Sequence, residues 1–147
     1  MKTRPNLTTV ILLLLGSFSL TAAILEDWSL RHPTPYYADF ANAAYGNGVY
    51  VIVGAGGMIA TSSDLENWYT RHHPELLENV VFGDGQFVAT GTTGDILTSA
   101  DGTNWMAHAS GILSSLSDVD YGNGLYVAAG DSGVTAVSSK GMDWTIR

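Results

Sequence analysis

A unit of 37 to 39 residues occurs three times in the chain, and every recognisable column of it recurs in register. The first copy carries Tyr45-Gly46-Asn47-Gly48, Tyr50-Val51, Gly54, Gly57, Ser62, Asp64 and Trp68. The second carries Phe82-Gly83-Asp84-Gly85, Phe87-Val88, Gly91, Gly94, Ser99, Asp101 and Trp105. The third carries Tyr121-Gly122-Asn123-Gly124, Tyr126-Val127, Gly130, Gly133, Ser138, Lys140 and Trp144. All columns shift by 37 residues from the first copy to the second and by 39 from the second to the third, so the two additional residues fall between Trp105 and Tyr121. A constant period makes each copy adopt the same local structure. Each must then bury its apolar face on a neighbour.

One copy reads as four short strands. In the second, apolar runs at about 79–82, 86–90 and 95–99 are bounded by turn residues, and Trp105 opens a fourth. Asn-Gly and Asp-Gly at the first turn adopt the positive φ angles of a tight hairpin at little cost. Helical spacing of apolar residues is absent, whereas bounded runs of β-branched and aromatic residues are strand signals. A period near 40 built this way predicts an all-β chain. It would have three four-stranded antiparallel blade-like repeats, a partial β-propeller, at about 38–73, 74–110 and 111–147.

The third turn of the unit carries a motif. Ser99-Ala100-Asp101-Gly102-Thr103-Asn104-Trp105 resembles the Asp-box, or BNR repeat, of sialidases and many other propellers, whose pattern is roughly Ser-x-Asp-x-Gly-x-Thr-Trp. An aspartate and a serine at a hairpin tip can accept bonds from turn amides, and the tryptophan buries a large ring on adjoining strands. In the first copy Ser62, Asp64 and Trp68 fit, but Leu65 replaces the glycine. In the third Ser138, Gly141 and Trp144 fit, but Lys140 replaces the aspartate and removes that acceptor. The resemblance implies a fold element remote from any active site. The whole repeat is also similar to those of photosystem II assembly factors and of exported propeller proteins.

The N-terminus has a different character. Lys2 and Arg4 precede an apolar run at 10–15, and Thr21-Ala22-Ala23 supplies small residues, the pattern of a secretory signal cleaved after Ala23. The expected location is therefore secreted or periplasmic, with membrane attachment only through an uncleaved signal. Residues 24–37 would form an N-terminal segment. Within it, Trp28-Ser29-Leu30-Arg31 matches Trp68-Tyr69-Thr70-Arg71 and Trp144-Thr145-Ile146-Arg147, and so reads as a lone outer strand. The chain carries a net charge of −8; beyond residue 23, four basic face fourteen acidic side chains, giving −10. Such a surface repels nucleic acid and anionic lipid. With no cysteine, stability has to come from the core alone.

Three complete units and one spare outer strand do not close a propeller, which has 4–8 blades. The strand count predicts a chain cut short at its C-terminus, with assembly of several chains into a ring or an open stack of three sheets as alternatives. Unpaired edges and apolar sheet faces at the ends would favour self-association.

No catalytic, cofactor or metal constellation emerges. The sialidase resemblance implies three arginines for a carboxylate, a Tyr–Glu nucleophile and an aspartate acid/base. Arg31, Arg71 and Arg147 merely recur one per repeat on outer strands, and nothing pairs Glu66, Glu75 or Glu78 as glycosidase chemistry requires. His72-His73 with Glu75 lacks the further ligand of a metal site. Gly54-Ala55-Gly56-Gly57 has no following helix for a phosphate loop, and there is no Gly-x-Ser-x-Gly elbow. Contact surfaces are expected where the repeats differ: at 71–78 with His72 and His73, at 108–118, and at Tyr36 and Tyr37. The expected function is an exported propeller-type binding or assembly module for a protein or carbohydrate ligand, without cofactor. The alternative is a fragment of a sialidase-like glycoside hydrolase.

Overall fold

The computed structural model describes residues 39–147. The signal at 1–23, the lone strand at 28–31 and the Tyr36–Tyr37 pair lie outside the described residues. Twelve strands form three separate four-stranded antiparallel sheets, each in simple sequential order. The first sheet holds β1 (Phe40–Gly46), β2 (Val49–Gly54), β3 (Met58–Ser62) and β4 (Tyr69–His72). The second holds β5 (Leu77–Gly83), β6 (Gln86–Gly91), β7 (Ile96–Ser99) and β8 (Met106–His108). The third holds β9 (Asp118–Gly122), β10 (Leu125–Ala129), β11 (Thr135–Ser138) and β12 (Thr145–Ile146). The β8 strand begins one residue later than the sequence suggests, because Trp105 belongs to the turn: its indole N–H donates back to the Gly102 carbonyl at 2.9 Å.

Each first hairpin turns on Asn47, Asp84 or Asn123 at φ 47°, 44° and 50°, the left-handed conformation that two-residue hairpins need and that Asn and Asp tolerate best. This turn sets the register, placing Tyr45 opposite Tyr50, Phe82 opposite Phe87 and Tyr121 opposite Tyr126. The paired rings lie 4.6, 4.8 and 4.6 Å apart, within the range of favourable aromatic contact.

The sheets stack through their first strands, β1 on β5 and β5 on β9. Two cores result. Val51, Val53, Ile59, Leu77, Val80, Phe87, Ala89 and Leu97 fill the space between the first and second sheets. Val88, Ile96, Ile112, Leu116, Val119, Tyr126, Ala128 and Ala136 fill that between the second and third. The second sheet is covered on both faces, so β6 is buried from Phe87 to Gly91, whereas β10 alternates between buried and exposed. A strand covered on both sides reads as continuously apolar, and one covered on a single side alternates.

A recurring contact sets the stacking distance. A Cβ added at Gly46 would fall 2.1 Å from the Phe82 ring, and one at Gly83 would fall 2.2 Å from the Tyr121 ring. The glycine after each first-strand aromatic is thus a seat for the aromatic of the following sheet. Among the described residues no helix is long and apolar enough to cross a membrane.

Candidate functional site: the repeat turns and the groove between the first two sheets

The two complete Ser-x-Asp turns have the same hydrogen-bond pattern. Asp64 Oδ1 accepts the amides of Glu66 at 2.9 Å and Asn67 at 2.8 Å, while Oδ2 accepts the Asn67 side-chain amide at 2.8 Å. Asp101 does the same with the amides of Thr103 at 2.8 Å and Asn104 at 2.7 Å and with the Asn104 side chain at 2.8 Å. Ser62 and Ser99 accept the amides of Leu65 and Gly102, each at 2.9 Å, and donate to the neighbouring aspartate. The backbone amide of Asn67 beside Asp64, and that of Asn104 beside Asp101, followed by the same residues' side chains, hold both carboxyls well below the usual carboxylate range. In the third turn Lys140 supplies no acceptor, and its own amide donates to Ser138 at 3.3 Å. Trp144, like Trp105, donates to the carbonyl of the turn glycine, Gly141, at 3.0 Å.

These turns also join the sheets. Gly102 is pressed against Val51 and Thr61 of the first sheet, and Gly141 against Val88 and Thr98 of the second; a Cβ at either would lie 2.7 Å from a valine methyl. Thr61 Oγ1 donates to the Gly102 carbonyl at 2.5 Å, and Gln86 to the Lys140 carbonyl at 2.5 Å. Asn47 reaches from the first sheet to the carbonyls of Gly85 at 3.0 Å and Ala100 at 2.9 Å. The Arg71 guanidinium donates to the Thr103 carbonyl. Arg71 lies on an outer strand as the sequence suggests and is exposed, yet it bridges two sheets. The repeat residues are therefore occupied in holding the stack together.

Among the described residues, a groove lies between the outer halves of the first two sheets. It encloses about 170 Å³. Ile59 and Leu97 line its apolar part, Trp105 contributes a ring, and Arg71, His72 and His73 bring basic side chains to the same space. His72 ends β4, with Nδ1 3.3 Å from the Gly56 carbonyl oxygen; His73 Nδ1 accepts the Glu75 amide at 3.3 Å. Sequence reasoning singled out the histidines but missed their partners. Arg71 and Trp105 stand 34 positions apart and meet only because adjacent sheets stack.

The segment 108–118 differs from its expectation as a binding loop. Ile112 and Leu116 are buried in the second core, Ser110 donates to the Gly94 carbonyl at 2.6 Å, and Ser115 donates to Glu78 at 2.8 Å. The available signal was the pair of apolar residues Ile112 and Leu116 in an otherwise serine-rich stretch. The sialidase-type constellation gains nothing from the fold either: Arg71 lies on β4 of the first sheet, Arg147 follows β12 of the third, and Arg31 lies outside the described residues. Among the described residues no three His, Asp or Glu side chains group as metal ligands would.

Neither a protein-family model nor a curated protein matches the sequence. Solved structures do resemble it. YCF48 from Cyanidioschyzon merolae superposes with a TM-score of 0.63 at 22% identity, over 78% of this chain and 38% of that one. A structure of YCF48 bound to D1 peptide gives 0.58 at 18% identity, over 74% and 40%. The WD40 β-propeller domain of Doa1 gives 0.59 at 12%, over 74% and 40%. The chain thus spans about two fifths of the length of each of these. At such identities the likeness is one of fold, and the described residues form three consecutive propeller-type blades.

Proposed function

We propose that the protein is a non-enzymatic binding module of the propeller type, with a repeat of Asp-box character, whose ligand is a protein segment held in the groove between its first two sheets. The observation that carries this reading is the convergence of Trp105 with Arg71, His72 and His73 over an apolar floor, on a chain that is otherwise acidic. An extended peptide bearing an acidic side chain or a terminal carboxylate beside an apolar residue fits that chemistry. The YCF48 fold accepting a D1 peptide supports the reading as precedent for the architecture. The same proposal puts this activity outside the cytoplasm, and the leader-like sequence pattern of residues 1–23 supports that part of it.

The test is selection from a random peptide library, followed by calorimetry on the enriched peptides. Binding should weaken at least tenfold in a His72→Ser/His73→Ser double variant, which alters the groove without touching a sheet-joining bond. Peptides that bind the variant as tightly as the wild type would remove the groove from the account.

A further inference from the structure

We propose that two copies of this chain associate head to tail, the first sheet of one seating on the outer face of the third sheet of the other. The seating contact is repeated inside the chain. Phe82 sits on Gly46 and Tyr121 sits on Gly83, and both glycines are buried. The next seat in the series is Gly122, and among the described residues it is open: a Cβ there would meet no atom within 4 Å, and the residue is exposed. The preceding aromatic in the series is Tyr45, and it is 58% exposed. The first sheet therefore presents the aromatic and the third sheet the open seat, in register with two filled examples of the same contact.

The rest of the face follows the same series. Val51 and Val88, which receive the turns of the following sheets, are completely buried, whereas their counterpart Val127 is 45% exposed and its neighbour Leu125 is 42% exposed. Asn47 reaches across to two carbonyls of the second sheet, and the third sheet has the identical residue, Asn123, at the same hairpin position, exposed. In a second copy the matching acceptors are the carbonyls of Gly48 and Ser63.

The seat differs where the incoming turn differs. The two inner seats take a glycine against Thr61 or Thr98. The outer one would take Leu65, and there the threonine is replaced by Val137. Leu65 is larger than glycine, so the copies meet with a wider gap at this turn, over a bed made apolar by Leu125, Val127 and Val137. This contact is heterologous, and it gives a closed pair if the rotation per sheet closes the ring or a longer array if it does not.

The experiment is light scattering on the size-separated full chain across a hundredfold range of concentration, with two variants. Gly122→Leu fills the vacant seat without strain in the single molecule, because that glycine does not have a positive φ. It should keep the β signal in circular dichroism and shift the wild-type dimer or higher species to monomer. Separately, Tyr45→Cys with Gly122→Cys, in a chain that has no other cysteine, should give a disulfide-linked species on oxidation that neither single variant gives. Three results would overturn the proposal: a wild-type chain monomeric at every concentration, association unaffected by Gly122→Leu, or cross-linking by Gly122→Cys alone, which would mean like faces meet.

Discussion

At the scale of single residues, the aspartates of the repeat turns are the most heavily bonded side chains among the described residues. Each accepts four hydrogen bonds from residues within three positions of itself. A carboxyl whose pKa is lowered by folding stabilises the native state above its unfolded pKa of about 3.9, and that contribution is lost as pH falls toward the folded value. Asp64 and Asp101 are both of this kind. The expected outcome is a stability that declines below about pH 4. In an Asp64→Asn/Asp101→Asn variant this decline should be shallower. Urea midpoints measured from pH 2 to 6 on both proteins check this, and parallel pH profiles would count against it. In the third turn Lys140 stands in the place of that aspartate.

At the scale of elements, the central sheet decides how well the stack is packed. Its β6 is covered on both faces, and within it Thr90 is wholly buried with its hydroxyl unpartnered. A buried hydroxyl without a partner costs about 1–3 kcal/mol, and an apolar group of similar shape avoids that cost. Thr90→Val should therefore raise the unfolding free energy by about 1 kcal/mol in urea denaturation. A loss of similar size would mean that the hydroxyl has a partner in solution, such as a buried water.

How far the elements could be read from sequence follows from the range of the interactions that make them. Hairpins at Asn47, Asp84 and Asn123 and the Ser-x-Asp turns are built by bonds within four residues, so the repeat columns displayed them. Trp105 closing its turn through its own indole, rather than starting the next strand, is a local bond that column matching alone does not show. Ile112 and Leu116 lie in a stretch that reads as a connection, because serines surround them. Their burial depends on the face of the third sheet, a neighbour that no local pattern names. The groove was hidden for the same reason: His72 and His73 drew notice as a pair, but Arg71 reaching Thr103 and Trp105 facing β4 need two sheets already stacked.

At the scale of the whole molecule, the repeat encodes stacking. Phe82 and Tyr121 are each seated on the glycine of the preceding sheet, and among the described residues the corresponding seat on the third sheet, Gly122, is open. Function is then left to the residues that differ between copies. The first part has a direct test in the unfolding free energies of Gly83→Leu and Gly122→Leu, measured by urea denaturation at a concentration low enough to keep chains apart. These glycines occupy the same column, on sheets of the same topology. The side chain at Gly83 would be driven into the Tyr121 ring, whereas at Gly122 it would meet open space. We expect the first substitution to cost more than about 3 kcal/mol or to prevent folding, and the second to stay within about 0.5 kcal/mol of the wild type. Equal losses at the two positions would contradict the seating of one sheet on the next.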